Sequence, residues 1–192
     1  MMPKTTAPVL AAAAPWFPWL KGAIFALLVT NAVGYALFGR PTEAIDSLAW
    51  LTLLALFELE TAYPQRMQQK RVAATVRTGR LVAGIAVVMA AIGFVREHEW
   101  LDAVNAMLWI AVVILFEFEV RRLDIVERHR PLFAGIAGSL YTAMAALVLI
   151  WAWSGEWFDA YDALLWLIAF VALELNVLGI QGEPAVGPKA PC

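Results

Sequence analysis

The sequence predicts an all-α integral membrane protein of six transmembrane helices, built as three tandem parallel helical-hairpin repeats in a pseudo-threefold bundle. Three observations carry this expectation. First, the chain is 62% hydrophobic and 16% charged, with a mean hydropathy of +0.71, whereas soluble domains sit near half apolar and a quarter charged. Second, six apolar runs approach the roughly 20 residues that a helix needs to cross a bilayer. Third, the second, fourth and sixth runs align with one another on acidic and tryptophan positions.

The elements follow in order. Residues 1–17 read as a tail, because three prolines from Pro8 to Pro18 disfavour a helix and no strongly apolar stretch forms a secretory signal. Its Trp16, with Phe17 and Trp19, suits a membrane surface. Spans are expected near 18–38, 44–62, 79–96, 101–120, 132–153 and 158–179. Pro41 precedes the second span, Pro64 follows it, Pro131 opens the fifth and Gly179 closes the sixth. The runs are long, rich in Ala and Leu, and do not alternate, so strands are not expected. The membrane domain covers 18–180, with repeats at 18–62, 77–120 and 131–179, and 181–192 forms a second tail.

Basic residues set an orientation. Arg66, Lys70, Arg71, Arg77 and Arg80 lie between spans two and three, and Arg121, Arg122, Arg128 and Arg130 between spans four and five. The opposite loops carry Glu43, Asp46, Glu97, Glu99, Asp102, Glu156, Asp159 and Asp162, with Arg40 and Arg96 their bases. By the positive-inside rule both termini face the cytoplasm, in a multi-pass protein of the cell membrane.

The repeat rests on spacing. Glu58, Glu117 and Glu174 superpose at offsets of 59 residues (58 to 117) and 57 (117 to 174). The same register superposes Glu43, Asp102 and Asp159, then Asp46, Asn105 and Asp162, then Trp50, Trp109 and Trp166. Glu60 and Glu119 fall opposite Asn176. The odd spans match more weakly, with Gly34-Tyr35 and Gly93-Phe94 against Ile150-Trp151. Acid, Asp, Trp and Glu share an arc of about 120° on the second span.

These positions are the candidate site. Glu58, Glu117 and Glu174, with Asn176 and the three tryptophans, are expected to form either an ion or proton site or a set of polar contacts between repeats. Glu174 has no base near it in sequence; Glu117 has Arg121 four residues on. The acids opening the even spans are expected to cap helices, an acidic vestibule for cations being the alternative. The tryptophans are expected to pack between repeats. Small residues at Ala134, Gly138, Thr142 and Ala146 allow close helix approach, expected inside the bundle.

Function is read by exclusion. Cys192 is the single cysteine and the last residue, so no disulfide framework or Cys-based metal site is expected. His98 and His129 fall in loops, so haem and di-iron sites lack ligands. No phosphate loop or nucleophile elbow is present, and the bases lie between apolar spans, which sets an enzyme and a nucleic-acid partner aside. No cofactor is expected. The partners expected are the lipid bilayer and other membrane subunits. The leading reading is an accessory or scaffold subunit packed against a larger membrane complex. The alternative is a small channel or cation- or proton-coupled transporter using the repeated glutamates.

Overall fold

A computed structural model describes residues 17–181, with side chains described for 19–119 and 121–171. The expected tails therefore lie outside the described residues, save Phe17 and Gln181 at their edges. Among the described residues the chain is all helix, without strands: α1 (Phe17–Phe38), α2 (Pro41–Ala62), α3 (Lys70–Glu97), α4 (Trp100–Arg121), α5 (Leu123–Arg128), α6 (Arg130–Ser154) and α7 (Trp157–Gln181), with a 3-10 turn at Arg66–Gln68. Four stretches are long and apolar enough to cross a membrane: Trp19–Phe38, Lys70–Glu97, Trp100–Glu119 and Arg130–Ser154. That is what a membrane protein requires.

Packing joins the six long helices in chain order. Contacts run α1 to α2, α2 to α3, α3 to α4, α4 to α6 and α6 to α7, and α1 meets α7 to close the ring. Inside, Leu28, Met144 and Trp151 are almost fully buried. Outside, large apolar side chains are bare, among them Leu81, Leu149 and Trp153. A water-soluble monomer rarely exposes such continuous apolar surface.

The turns have local causes. Pro41 occupies the first turn of α2, where its missing N–H costs nothing. The Arg40 backbone N–H just before it donates to Glu43 Oε2 at 2.8 Å, so Glu43 does cap its helix. After α3, His98 takes a left-handed φ of 64°, and the Glu99 N–H turns back to the Phe94 carbonyl at 2.9 Å. After α6, Gly155 does the same at φ 89°, with the Glu156 N–H on the Trp151 carbonyl at 2.9 Å. One left-handed residue thus ends both helices; glycine adopts it without strain, whereas histidine does so at a steric cost.

Three expectations on this architecture change. Gly179, expected to close the sixth span, lies within α7, which runs on to Gln181. The third long helix starts at Lys70 rather than 79. At 28 residues it is about 42 Å long, against a hydrocarbon core of about 30 Å, so its basic first turns continue past any membrane. The small residues Ala134, Gly138, Thr142 and Ala146 are all exposed, and a Cβ on Gly138 would meet nothing within 4 Å. Helix α6 instead turns Met144, Leu147 and Trp151 inward. Its small-residue stripe therefore lies on the outside of the ring, because the larger side chains of α6 take the interior.

Candidate functional site

On the ring axis the three tryptophans meet. Trp50 from α2, Trp109 from α4 and Trp166 from α7 are all buried. Their ring centroids lie 6.3, 6.4 and 6.3 Å apart, with interplanar angles of 58°, 62° and 62°. Edge-to-face contact of this kind adds to the large apolar area each indole buries. Among the described residues no extensive backbone contact joins α2, α4 and α7 across the axis, so the indoles fill the middle. Phe170 backs the triad, 4.7 Å from Trp109.

Beside the triad, toward the α1–α2, α3–α4 and α6–α7 turns, is a cavity of about 40 Å³. That volume holds about three waters. The three indoles line it, and so do Tyr35, Phe94 and Trp151 from the other three helices. Five carboxyl side chains line it too: Glu43, Asp46, Asp102, Asp159 and Asp162, with Asn105 among them. These are the acids read from sequence as helix caps. Each lies in a first turn or three residues on; that same spacing carries them along the face that also holds the tryptophan, and so inward.

Most of these groups are satisfied. The Tyr35 hydroxyl donates to Asp159 Oδ1 at 2.8 Å, and Asn31, itself buried, donates to Asp162 Oδ1 at 2.6 Å. Arg40 stands over the cluster: its Nε donates to Glu43 Oε1 at 2.8 Å, one Nη reaches Asp102 Oδ2 at 3.4 Å, and the other pairs with Glu99. Burial works against its charge, but the hydrogen bonds it donates to Glu43 and Glu99 more than offset this and hold the guanidinium above its ordinary range. Two atoms remain. Asp46 Oδ1 and Asn105 Oδ1 are buried and have no hydrogen-bond partner. Both are acceptors, and an unsatisfied buried acceptor costs about 1–3 kcal/mol.

The glutamates at the other end are placed differently. Lys21 Nζ donates to both carboxylate oxygens of Glu58, at 2.6 and 2.7 Å. Arg80 donates to Glu60 Oε2 at 2.9 Å, and Arg121 Nε to Glu117 Oε1 at 2.6 Å. Glu58 and Glu117 are thus each held by a cation at the helix ends. Glu174 and Asn176 lie outside the residues whose side chains are described. The structure brings together Trp50, Trp109 and Trp166 from the candidate set, and adds the first-turn acids to them. Asn31 and Tyr35 were missed, although a polar pair four residues apart within an apolar span is a readable signal of an inward face.

Comparison of the chain with protein-family models, with curated proteins and with solved structures finds no match.

Proposed function

We propose that this chain is a six-span membrane protein of three parallel hairpins, with cytoplasmic termini, that takes up a small cation in the acid-lined pocket at its outer end. The role proposed is binding or coupled transport, not catalysis. The observation that carries it is the pair of unpartnered acceptors, Asp46 Oδ1 and Asn105 Oδ1, on two of the residues that line the five-carboxyl cavity. A guest that donates or carries positive charge satisfies both and offsets the repulsion among the acids.

Six spans rather than four are supported by the ring. Helix α2 lies between α1 and α3, and α7 between α6 and α1, so both run alongside helices apolar enough to span. The 22 residues of α2 reach about 33 Å. Its charges count against it in any hydropathy window, yet Glu43 and Asp46 face the pocket, and Glu58 and Glu60 sit near its end with bases of their own. The threefold repeat is supported by equivalent contacts. A Cβ on Gly34 of α1 would lie 2.8 Å from Phe158 of α7, and one on Gly93 of α3 would lie 2.8 Å from Thr42 of α2. Phe158 and Thr42 occupy the same register position, so successive repeats meet through one kind of seam. The matching turns at His98 and Gly155 and the near-equilateral indole triangle point the same way.

The transport reading thereby moves from Glu58, Glu117 and Glu174 to the outer acids. To test it, the purified chain is titrated in detergent with ammonium, potassium and sodium chlorides while tryptophan emission is followed. At least one cation gives a saturable change in the wild type that is lost in an Asp46→Asn, Asn105→Leu double variant. A wild type that responds to none of them refutes the reading.

A second reading, the accessory subunit of a larger complex, is favoured by the exposed stripe on α6. Small residues let helices approach closely within lipid, where packing drives association. Solubilisation in mild detergent tests it: Gly138→Leu should free the chain from any co-purifying subunit while leaving its own fold intact.

A further inference from the structure

We infer that the cation taken by this pocket is a protonated primary amine of about three heavy atoms, its ammonium hydrogen-bonded to Asp46 and Asn105 and its alkyl group against the tryptophan faces. The inference rests on the cation-binding reading above and names the class of guest.

Four features select it. Both unpartnered atoms are oxygens, so a guest group that satisfies the two together presents at least two donors, as an ammonium does and a quaternary amine does not. Among the described residues no three acid, cysteine or imidazole side chains converge as the ligands of a metal ion would, while hard divalent cations demand six or more oxygens. Four tryptophans, Trp50, Trp109, Trp151 and Trp166, stand among the lining residues; an indole ring attracts an organic cation through its quadrupole and packs against the carbon atoms beside the charge. Finally, the size of the cavity, about three waters, matches an ammonium carrying one or two carbons.

Asymmetry places the guest. At the seam between α1 and α7, Tyr35 and Asn31 donate to Asp159 and Asp162. The equivalent residues elsewhere, Phe94 and Ala90 on α3 and Leu147 on α6, carry no side-chain donor, and Trp151 on α6, whose indole N–H is a donor, leaves Asn105 Oδ1 without a partner. The acceptors on α2 and α4 are therefore the ones left open. The α1 hydroxyl and amide fill, within the chain, the place that a guest takes on the α2–α4 side.

Isothermal titration calorimetry on the full chain in detergent, in lithium HEPES, tests the proposal with ethylammonium, tetramethylammonium and potassium chlorides. Ethylammonium should bind saturably, at least tenfold tighter than either of the others. Asp46→Asn and Asn105→Leu should each weaken it at least tenfold, and Glu60→Gln, at the opposite end, should leave it unchanged. Should either pocket variant fail to fold, the ranking of the three cations on the wild type decides alone. Equal affinity for tetramethylammonium overturns recognition through N–H donors. Tighter binding of potassium overturns the amine while leaving the cation reading standing. Binding of none of the three overturns both.

Discussion

Replacing Asn105 by leucine should raise the stability of the guest-free protein. The two side chains have the same number of heavy atoms and the same branching, so the change swaps polar for apolar with little change of shape. Asn105 Oδ1 is buried without a partner, and removing such an orphan relieves about 1–3 kcal/mol. In a chain of this size each kcal/mol moves the melting temperature by about 2–4 °C, so the variant should melt about 2–12 °C higher. With cation added the order should narrow or reverse. At one hundred times its dissociation constant a ligand stabilises the wild type by about 2.7 kcal/mol, and the variant, lacking one acceptor, gains less. Tryptophan emission during a thermal ramp in mild detergent, with and without ethylammonium, reads both effects. The reasoning fails if the guest-free variant melts below the wild type. That result would mean that water or the chain itself already satisfies Asn105, and that nothing in the pocket is held in wait for a guest.

Other outcomes follow from the same geometry. Trp109→Ala should cost about 3–5 kcal/mol, as large-to-small changes in a packed core do, because the ring touches Trp50, Trp166 and Phe170 at once; a chemical-denaturant curve measures it. His98→Gly should stabilise by about 1 kcal/mol, since the residue sits at φ 64°, less whatever its ring contact with Trp100 contributes; an unchanged or lower melting temperature would count against the turn geometry. Lys21→Met should be nearly silent, within about 1 kcal/mol, because the Lys21–Glu58 pair is partly open to its surroundings. Single cysteines near Gln68 and Arg128 should be shielded from an impermeant thiol reagent in intact cells, while one near Glu156 should react.

Much of this was legible in the residues, for reasons that can be named. Breaks at Pro41, Pro64 and Pro131 bound helices because proline cannot continue one, and the apolar runs leave little doubt of helix over strand. The length of α3 was not legible, since Lys70–Thr78 is too polar for a hydropathy window yet forms helix readily. The register that pairs Trp50 with Trp109 and Trp166 could be read, because a repeat places equivalent side chains on equivalent faces. What spacing could not say is which use of an acid wins. Glu43 satisfies both readings at once, capping α2 while lining the pocket. Asp46 and Asp162 look identical in the repeat, and differ only because Asn31 on a distant helix reaches one of them. Glu58 has no base within one helical turn in sequence, and its partner Lys21 comes from across the α1–α2 seam. Long-range partners of this kind follow from the fold, not from local pattern. The exposure of Gly138 has the same origin: a small residue permits close packing on either face, and its neighbours Met144 and Leu147 decide which face turns in.

The most direct test is an electron-density difference map between crystals of the purified protein grown with and without ethylammonium chloride. The account predicts one new peak in the pocket, within hydrogen-bonding distance of Asp46 Oδ1 and Asn105 Oδ1 and against the indoles of Trp50 and Trp109. Identical water density in both crystals, or Asp46 Oδ1 and Asn105 Oδ1 found partnered within the chain, would contradict it.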